Sequence, residues 1–534
     1  MTERFDAVTL EVLWTRLISA ADEAAKTLTR TSFSTLVNES NDFACVLLDA
    51  RGQSLVQNTD SIPSFIGCLP VTVKHFIEVF GHDGMVPGDV LVTNDPWKAT
   101  GHLNDVTIVK PIFHDGKVVA FAASTAHVPD IGGRVRSIEP REVFEEGFQI
   151  PPLKMVSAGE ENETFFRLLR AAVRTPDQTV GDLWAQVTGL NQMEQRLLSM
   201  MDEYGLEDLT ALADEIHGRC ERALRGAIVD VPDGTYHYEF KTDGLDKPML
   251  FKCALTVKGD SVTADYTGTS PVVPRALNCT FTYTFAMTCF AIKSALLPEL
   301  PNNEGIFRPI EVIAPEGCLL NPRFPAAVGG RVATGHYVPQ MILGALAVVV
   351  PEKVMAASGS PLWSIIQTGV RENGQTYANV LFFNGGMGAT PQKDGEATYS
   401  WPSNISNVPI ELVERNSPLV VRYKRLRPDS GGLGQHRGGL GQEVLFENEA
   451  ESPIAVIFIA ERCKFPAAGM DGGEEGGCGE VMIDGEKIDH RRQYVLQKGQ
   501  TFTLRTPGGG GFGKPAGRDE AAVAQDKRLG YVSI

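Results

Sequence analysis

The residues best suited to chemistry fall in two short stretches, Gly101-His102-Leu103-Asn104-Asp105 and the Ala126-His127 pair that ends a later apolar run. Between them stands His114-Asp115-Gly116-Lys117, and an Asp-Gly pair between two apolar runs is the strongest short-range signal for a hairpin. With Asp115 and Gly116 as the loop, His127 falls opposite Asn104 and diagonally beside His102. Diagonal cross-strand neighbours lie within about 8 Å, close enough to share an ion. Two imidazoles plus one carboxylate leave coordination positions open for water or substrate, which is the donor set of a catalytic divalent metal: zinc, manganese or iron. Asp105 stands at the mouth of the same strand, although alternation alone points it to the other face. Pro111 suits an edge strand or a bulge better than a central strand, which leaves the register open by one residue.

The elements that must hold this hairpin read as mixed α+β in a multidomain chain, since 534 residues exceed one hydrophobic core. Leu10, Leu13, Trp14, Leu17, Ala21 and Ala24 recur at spacings of three and four, predicting an amphipathic helix. From about Asp42 to His127, short apolar runs broken by Gly, Pro, Asn and Asp predict mostly strands and turns. Helix is expected near residues 160–174 and from 182 to 229. A turn at Val231-Pro232-Asp233-Gly234 then leads into a strand. We expect an N-terminal α/β region carrying the hairpin (1–229), a central α+β region (230–350) with helices near 281–297 and 337–350, and a β-rich C-terminal region (351–534) with a Gly-rich tail.

Composition narrows the function classes. The formal charge of −17 repels phosphate backbones and supplies no polybasic membrane signal, so neither nucleic acid nor membrane is an expected partner. No apolar run approaches the roughly 20 residues that span a bilayer, and the first residues lack a signal-peptide pattern, so a cytoplasmic location is expected. The nine cysteines form no CxxC pair, which argues against a zinc ribbon or a redox motif. Gly508–Gly513 with Lys514 imitates a phosphate-binding loop, but Pro515 stands where the Ser or Thr must be. That tail is expected to be a segment of tight turns and close backbone approach.

Several blocks resemble the hydantoinase B/oxoprolinase family. They are Asn94-Asp95-Pro96-Trp97, Gly101-His102-Leu103-Asn104-Asp105-Val106, Ala126-His127-Val128-Pro129-Asp130-Ile131-Gly132-Gly133, and the run from Phe144 to Pro152. Asp429–Gly434 with Arg437-Gly438-Gly439, and Thr506–Gly513, complete the set, so the resemblance covers nearly the whole chain. It implies His102, Asp105 and His127 as metal ligands. It adds Asp42 as a fourth, from the Glu-x-x-Asp-Phe-Ala-Cys pattern over residues 39–45. It also implies a hydantoinase A-like, ATP-binding partner, and a small-molecule cyclic amide (hydantoin, 5-oxoproline or lactam) as substrate, opened by metal-activated water. A ketone carboxylase subunit is the alternative, and a non-catalytic scaffold a second one. Two departures stand out: Ala99-Thr100-Gly101 replaces a common Gly-Gly-Thr, and Ile62-Pro63-Ser64-Phe65-Ile66-Gly67 has Phe where many members carry His. Asp130 and Glu146 are the candidate catalytic carboxylates, each as a general base or as a partner that orients a ligand histidine.

Overall fold

The N-terminal apolar stripe forms helix α1 (Ala7–Thr31), started by Asp6, whose carboxylate accepts from the N–H groups of Val8 and Thr9. All six stripe residues named above are buried. The computed structural model describes residues 5–134, 137–371 and 374–533. After α2 (Thr35–Asn38) come strands β1 (Phe43–Asp49) and β2 (Ser54–Gln57), helix α3 (Pro63–Phe80), and strands β3 (Val90–Thr93), β4 (Asp105–His114) and β5 (Lys117–His127). Then follow β6 (Leu153–Ser157), β7 (Glu160–Glu161), α4 (Glu163–Ala172), α5 (Pro176–Tyr204) and α6 (Thr210–Val229). The strands form one sheet in the order β2-β1-β5-β4-β3-β6-β7, with every pairing antiparallel. Strand β1 is buried at every residue, and β5 at all but its first two, because α1, α5 and α3 cover them.

Helix α3 departs from the expected run of strands and turns. Its Gly and Pro residues serve packing and initiation, not turns. Pro63 opens the helix where its missing N–H costs nothing. Gly67 lies against α7 (Phe281–Leu296), where an added Cβ would come within 2.6 Å of the Ala286 side chain.

The expected hairpin is present, with one difference in register. At the tip His114 pairs with Lys117 as the two-residue loop requires, but a bulge between Ile112 and Phe113 shifts every later pair by one. Asp105, and not Asn104, therefore lies opposite His127. Pro111 is accommodated because β3 pairs with β4 only over Thr107–Val109, leaving the proline beyond that ladder.

The central strands β8 (Gly234–Thr242), β9 (Met249–Lys258), β10 (Ser261–Asp265) and β11 (Ile310–Ile313) form a second sheet. Helices α8 (Glu304–Phe307), α9 (Val332–Gly335) and α10 (Val338–Leu346) accompany it, and α10 packs on β8 and β9. The C-terminal strands are β12 (Trp363–Val370), β13 (Thr376–Phe383), β14 (Leu419–Leu426), β15 (Gln442–Asn448), β16 (Ile454–Ile459), β17 (Glu480–Ile483), β18 (Glu486–Lys487), β19 (Gln493–Leu496) and β20 (Thr501–Arg505). They make two sheets, β13-β12-β16-β19 and β14-β15-β20-β17-β18. Alternation along β12 and β13 decides how these pack. Trp363, Ile365, Leu381 and Phe383 enter the sandwich core with Phe446 and Phe502, while Ile366, Val380 and Phe382 join the large core that begins at Leu10.

The Gly-rich tail lies in a layer of touching backbones. A Cβ on Gly508 would come within 1.7 Å of the Ser430 carbonyl oxygen, and one on Gly438 within 2.0 Å of that of Gly509. All nine cysteines are free, and seven are buried. Among the described residues no helix is long and apolar enough to cross a membrane.

Candidate metal centre

The bulged register brings three of the expected residues to one point. Asp105 Oδ1 lies 2.6 Å from His102 Nε2 and 2.9 Å from His127 Nδ1, and the two imidazole centroids are 5.0 Å apart. All three side chains are at most 2% exposed. Asp42 stands at the edge of this group, 3.9 Å from His127 Nδ1.

The other face of the carboxylate is fixed by a cation. Arg331, just before α9, donates from Nη2 to Asp105 Oδ2 and from Nε to the Thr100 carbonyl oxygen. The Thr100 hydroxyl adds a 2.7 Å bond to the same Oδ2. Gly101 has a local reason to be glycine. Its φ is +94°, and a Cβ there would come within 2.7 Å of Arg331 Cδ, so the chain needs glycine beside the guanidinium. Arg331 also stacks on Tyr283, 4.4 Å from the ring centroid. Sequence reading did not find Arg331, because it lies 226 positions from Asp105 with no local pattern around it.

The electrostatics favour a cation between the imidazoles. Burial, helped by the nearby guanidinium of Arg331, pushes the His102 imidazole down to about 3, so the ring is neutral with a lone pair to offer. Burial alone would raise Asp105. The His102 imidazole and the Arg331 guanidinium outweigh it and hold the carboxyl well below the usual range. Among the described residues His127 Nε2 is buried without a hydrogen bond, and His102 Nε2 has only the Asp105 carboxylate beside it; such atoms are costly unless something satisfies them. A divalent ion coordinated by His102, Asp105 and His127 fits this donor set.

The two expected catalytic carboxylates lie farther back. Glu146 Oε1 accepts the N–H groups of Val328 and Gly329, each at 2.7 Å, and the Gly329 carbonyl oxygen is 3.2 Å from His102 Nδ1. Glu146 thus supports the turn that orients a histidine. Burial pushes its carboxyl up to about 8. Asp130 is held by Arg174 through a bond to its backbone N–H and a 2.7 Å pair with Nη1. Neither carboxylate lines the cavity over the triad. That cavity is walled instead by Asp42, Tyr283, Arg331 and His336, under apolar side chains of Ile62, Phe65, Leu362, Phe382 and Ile405. Phe65, where the family resemblance led us to look for a histidine, is a wall residue. His336 accepts the Leu362 N–H at Nδ1 over 3.4 Å.

The hydantoinase B/oxoprolinase family model matches residues 6–515. A putative D-/L-hydantoinase subunit from a Pseudomonas strain is 31% identical over 99% of this chain and 94% of its own length. The beta chain of the Pseudomonas jessenii caprolactamase is 30% identical with the same coverage. The 5-oxoprolinase of Dictyostelium discoideum is 30% identical, and this chain spans 41% of it. The crystal structure of the ATP-dependent caprolactamase from P. jessenii superposes with a TM-score of 0.89 at 28% identity, covering 99% of this chain and 95% of that one. A nucleotide-free acetone carboxylase structure superposes at 0.90 with 20% identity, over 99% and 78% of the two chains, which is a likeness of fold. On a match that runs almost end to end, the chain belongs to the hydantoinase B/oxoprolinase family.

Proposed function

We propose that this chain is the metal-bearing subunit of an ATP-dependent enzyme that opens a cyclic amide. The observation that carries the reading is the buried convergence of His102, Asp105 and His127 under a cavity, in a chain whose relatives include a hydantoinase subunit and a caprolactamase subunit. A divalent ion held there (zinc, manganese or iron) would lower the pKa of a water toward neutrality. In this reading Asp42 is the fourth donor, and ATP is bound by a separate hydantoinase A-like subunit. Arg331 keeps Asp105 ionised and turned toward the histidines. Glu146, through Gly329, keeps His102 in the tautomer that presents Nε2 to the ion, and Asp130 with Arg174 fixes the segment that follows His127.

The apolar walls and the commitment to Asp105 of Arg331, the only Lys or Arg among the described lining residues, favour an uncharged ring over one bearing a free carboxylate. His336, whose Nδ1 faces the Leu362 N–H, is the lining group that would pass a proton to the departing nitrogen. The test is reconstitution with the ATP-binding subunit and a panel of hydantoins and lactams, with metal analysis of the chain. His102→Ala and His127→Ala should each lose the ion and reduce ring opening to background. Full metal content and full turnover in either variant would remove the basis for this reading.

A further inference from the structure

A second group of metal-binding side chains lies between the central sheet and the C-terminal sandwich. Asp243 directly follows β8, Cys463 follows β16, and His490 lies in the loop before β19. One donor atom from each, a carboxylate oxygen, a sulfur and a ring nitrogen, lies within 4.8 Å of the others. Tetrahedral zinc, with bonds of about 2.0–2.3 Å, sets its ligand atoms roughly 3.5 Å apart, a distance that small side-chain adjustments reach from here.

Backbone hydrogen bonds place Asp243 and Cys463 side by side but leave the thiol and the His490 ring nitrogen without strong partners. The Asp243 carboxylate accepts the N–H groups of Cys463, Lys464 and Phe465 at 2.6, 3.0 and 3.1 Å, which fixes its position and brings Cys463 beside it. The Cys463 thiol has only a 3.9 Å contact with the Glu461 carbonyl oxygen, a weak bond at best. His490 Nε2 is buried with no hydrogen-bond partner among the described residues. The neighbouring acid, Glu461, is already paired with Arg491 at 2.7 Å. A weakly bonded thiol and an unpartnered imidazole nitrogen, converging on an oriented carboxylate, are the arrangement that a thiophilic divalent ion satisfies.

We propose that Asp243, Cys463 and His490 form a second, structural zinc-class site that staples the β8–β9 turn to two loops of the sandwich. Binding exchanges the thiol proton of Cys463 for the metal and releases that proton to solvent, so the site carries one thiolate, one carboxylate and one neutral imidazole. The ion's two positive charges then balance the two negative ligands.

Cobalt(II) reports the difference between the two centres, because only this one supplies sulfur. The full-length chain loaded with cobalt should show a thiolate-to-cobalt charge-transfer band in the near ultraviolet. His102→Ala should keep the band, and Cys463→Ser should lose it while still binding cobalt at the hairpin site. Absence of the band in the cobalt-saturated wild-type chain, or its persistence in Cys463→Ser, would overturn the proposal. If Cys463→Ser does not fold, His490→Gln serves in its place: a weakened or shifted band supports the site and an unchanged one overturns it.

Discussion

Two buried aspartates each gather possible metal ligands, and they are held in opposite ways. Asp105 is backed by a full positive charge, Arg331, and by one hydroxyl. Asp243 is backed by three neutral backbone N–H groups. The first arrangement keeps a carboxylate ionised while its second oxygen stays directed at two imidazoles under a cavity. The second ties one loop to another. In the two readings proposed above, the contrast is between a site that exchanges a ligand and one that holds parts of the fold together.

Removing the charge behind Asp105 should break that contrast most strongly. Arg331→Met leaves a buried carboxylate without its cation, and breaking one side of such a pair costs about 3–5 kcal/mol. Denaturant unfolding of the metal-stripped variant should show this loss. Saturating divalent metal should restore part of it, because an ion can replace the missing positive charge. A variant as stable as wild type without metal would mean that Arg331 is not what compensates Asp105.

The cavity sharpens the contrast further. His336→Gln should lower kcat for ring opening by about a hundredfold, the lower end of general acid–base contributions, with metal content unchanged. Cys463→Ser, acting at the site without a proposed reaction, should leave kcat near wild type. Equal losses in the two variants would make the distinction between the centres untenable.

What the sequence revealed follows the same line between local and distant contacts. The hairpin was legible because Asp115-Gly116 and the flanking apolar runs lie within a few residues of one another. Its register differed by one because a bulge at Ile112/Phe113 has no dependable local signature. That shift made Asp105 the direct partner of His127, which alternation alone argued against. Helix α3 was hidden by Pro63, Gly67 and Pro70, residues that read as turn signals until α7 is seen against them. Arg331 and the members of the Asp243 group come from segments hundreds of positions away, whereas His336 stood out in the sequence only as part of a polar stretch, residues 330–336, that could reach a pocket. Asp243 and Cys463 are 220 apart, so no spacing could have joined them.

The smallest effect tests how far the support of the hairpin centre extends. Glu146 touches His102 only through the Val328–Gly329 turn, and burial raises its carboxyl from an ordinary 4.5 to about 8. Below pH 4.5 the group is protonated whether the chain is folded or not, and it imposes no penalty. As pH rises toward 8 the unfolded chain ionises while the folded one resists, so the wild type loses stability across that window. The slope is no steeper than about 1.4 kcal/mol per pH unit. Glu146→Gln keeps an acceptor for both N–H groups and cannot ionise. Its unfolding free energy, measured at about pH 5 and about pH 8, should therefore improve relative to wild type as pH rises. Glu146→Ala removes the acceptor and should weaken metal binding at the His102 centre by roughly 10–100-fold, as loss of an orienting partner does elsewhere. If the Gln variant tracked the wild type across this range while the Ala variant still lost metal, Glu146 would be ionised in the folded chain and its support of the turn purely a matter of hydrogen bonding.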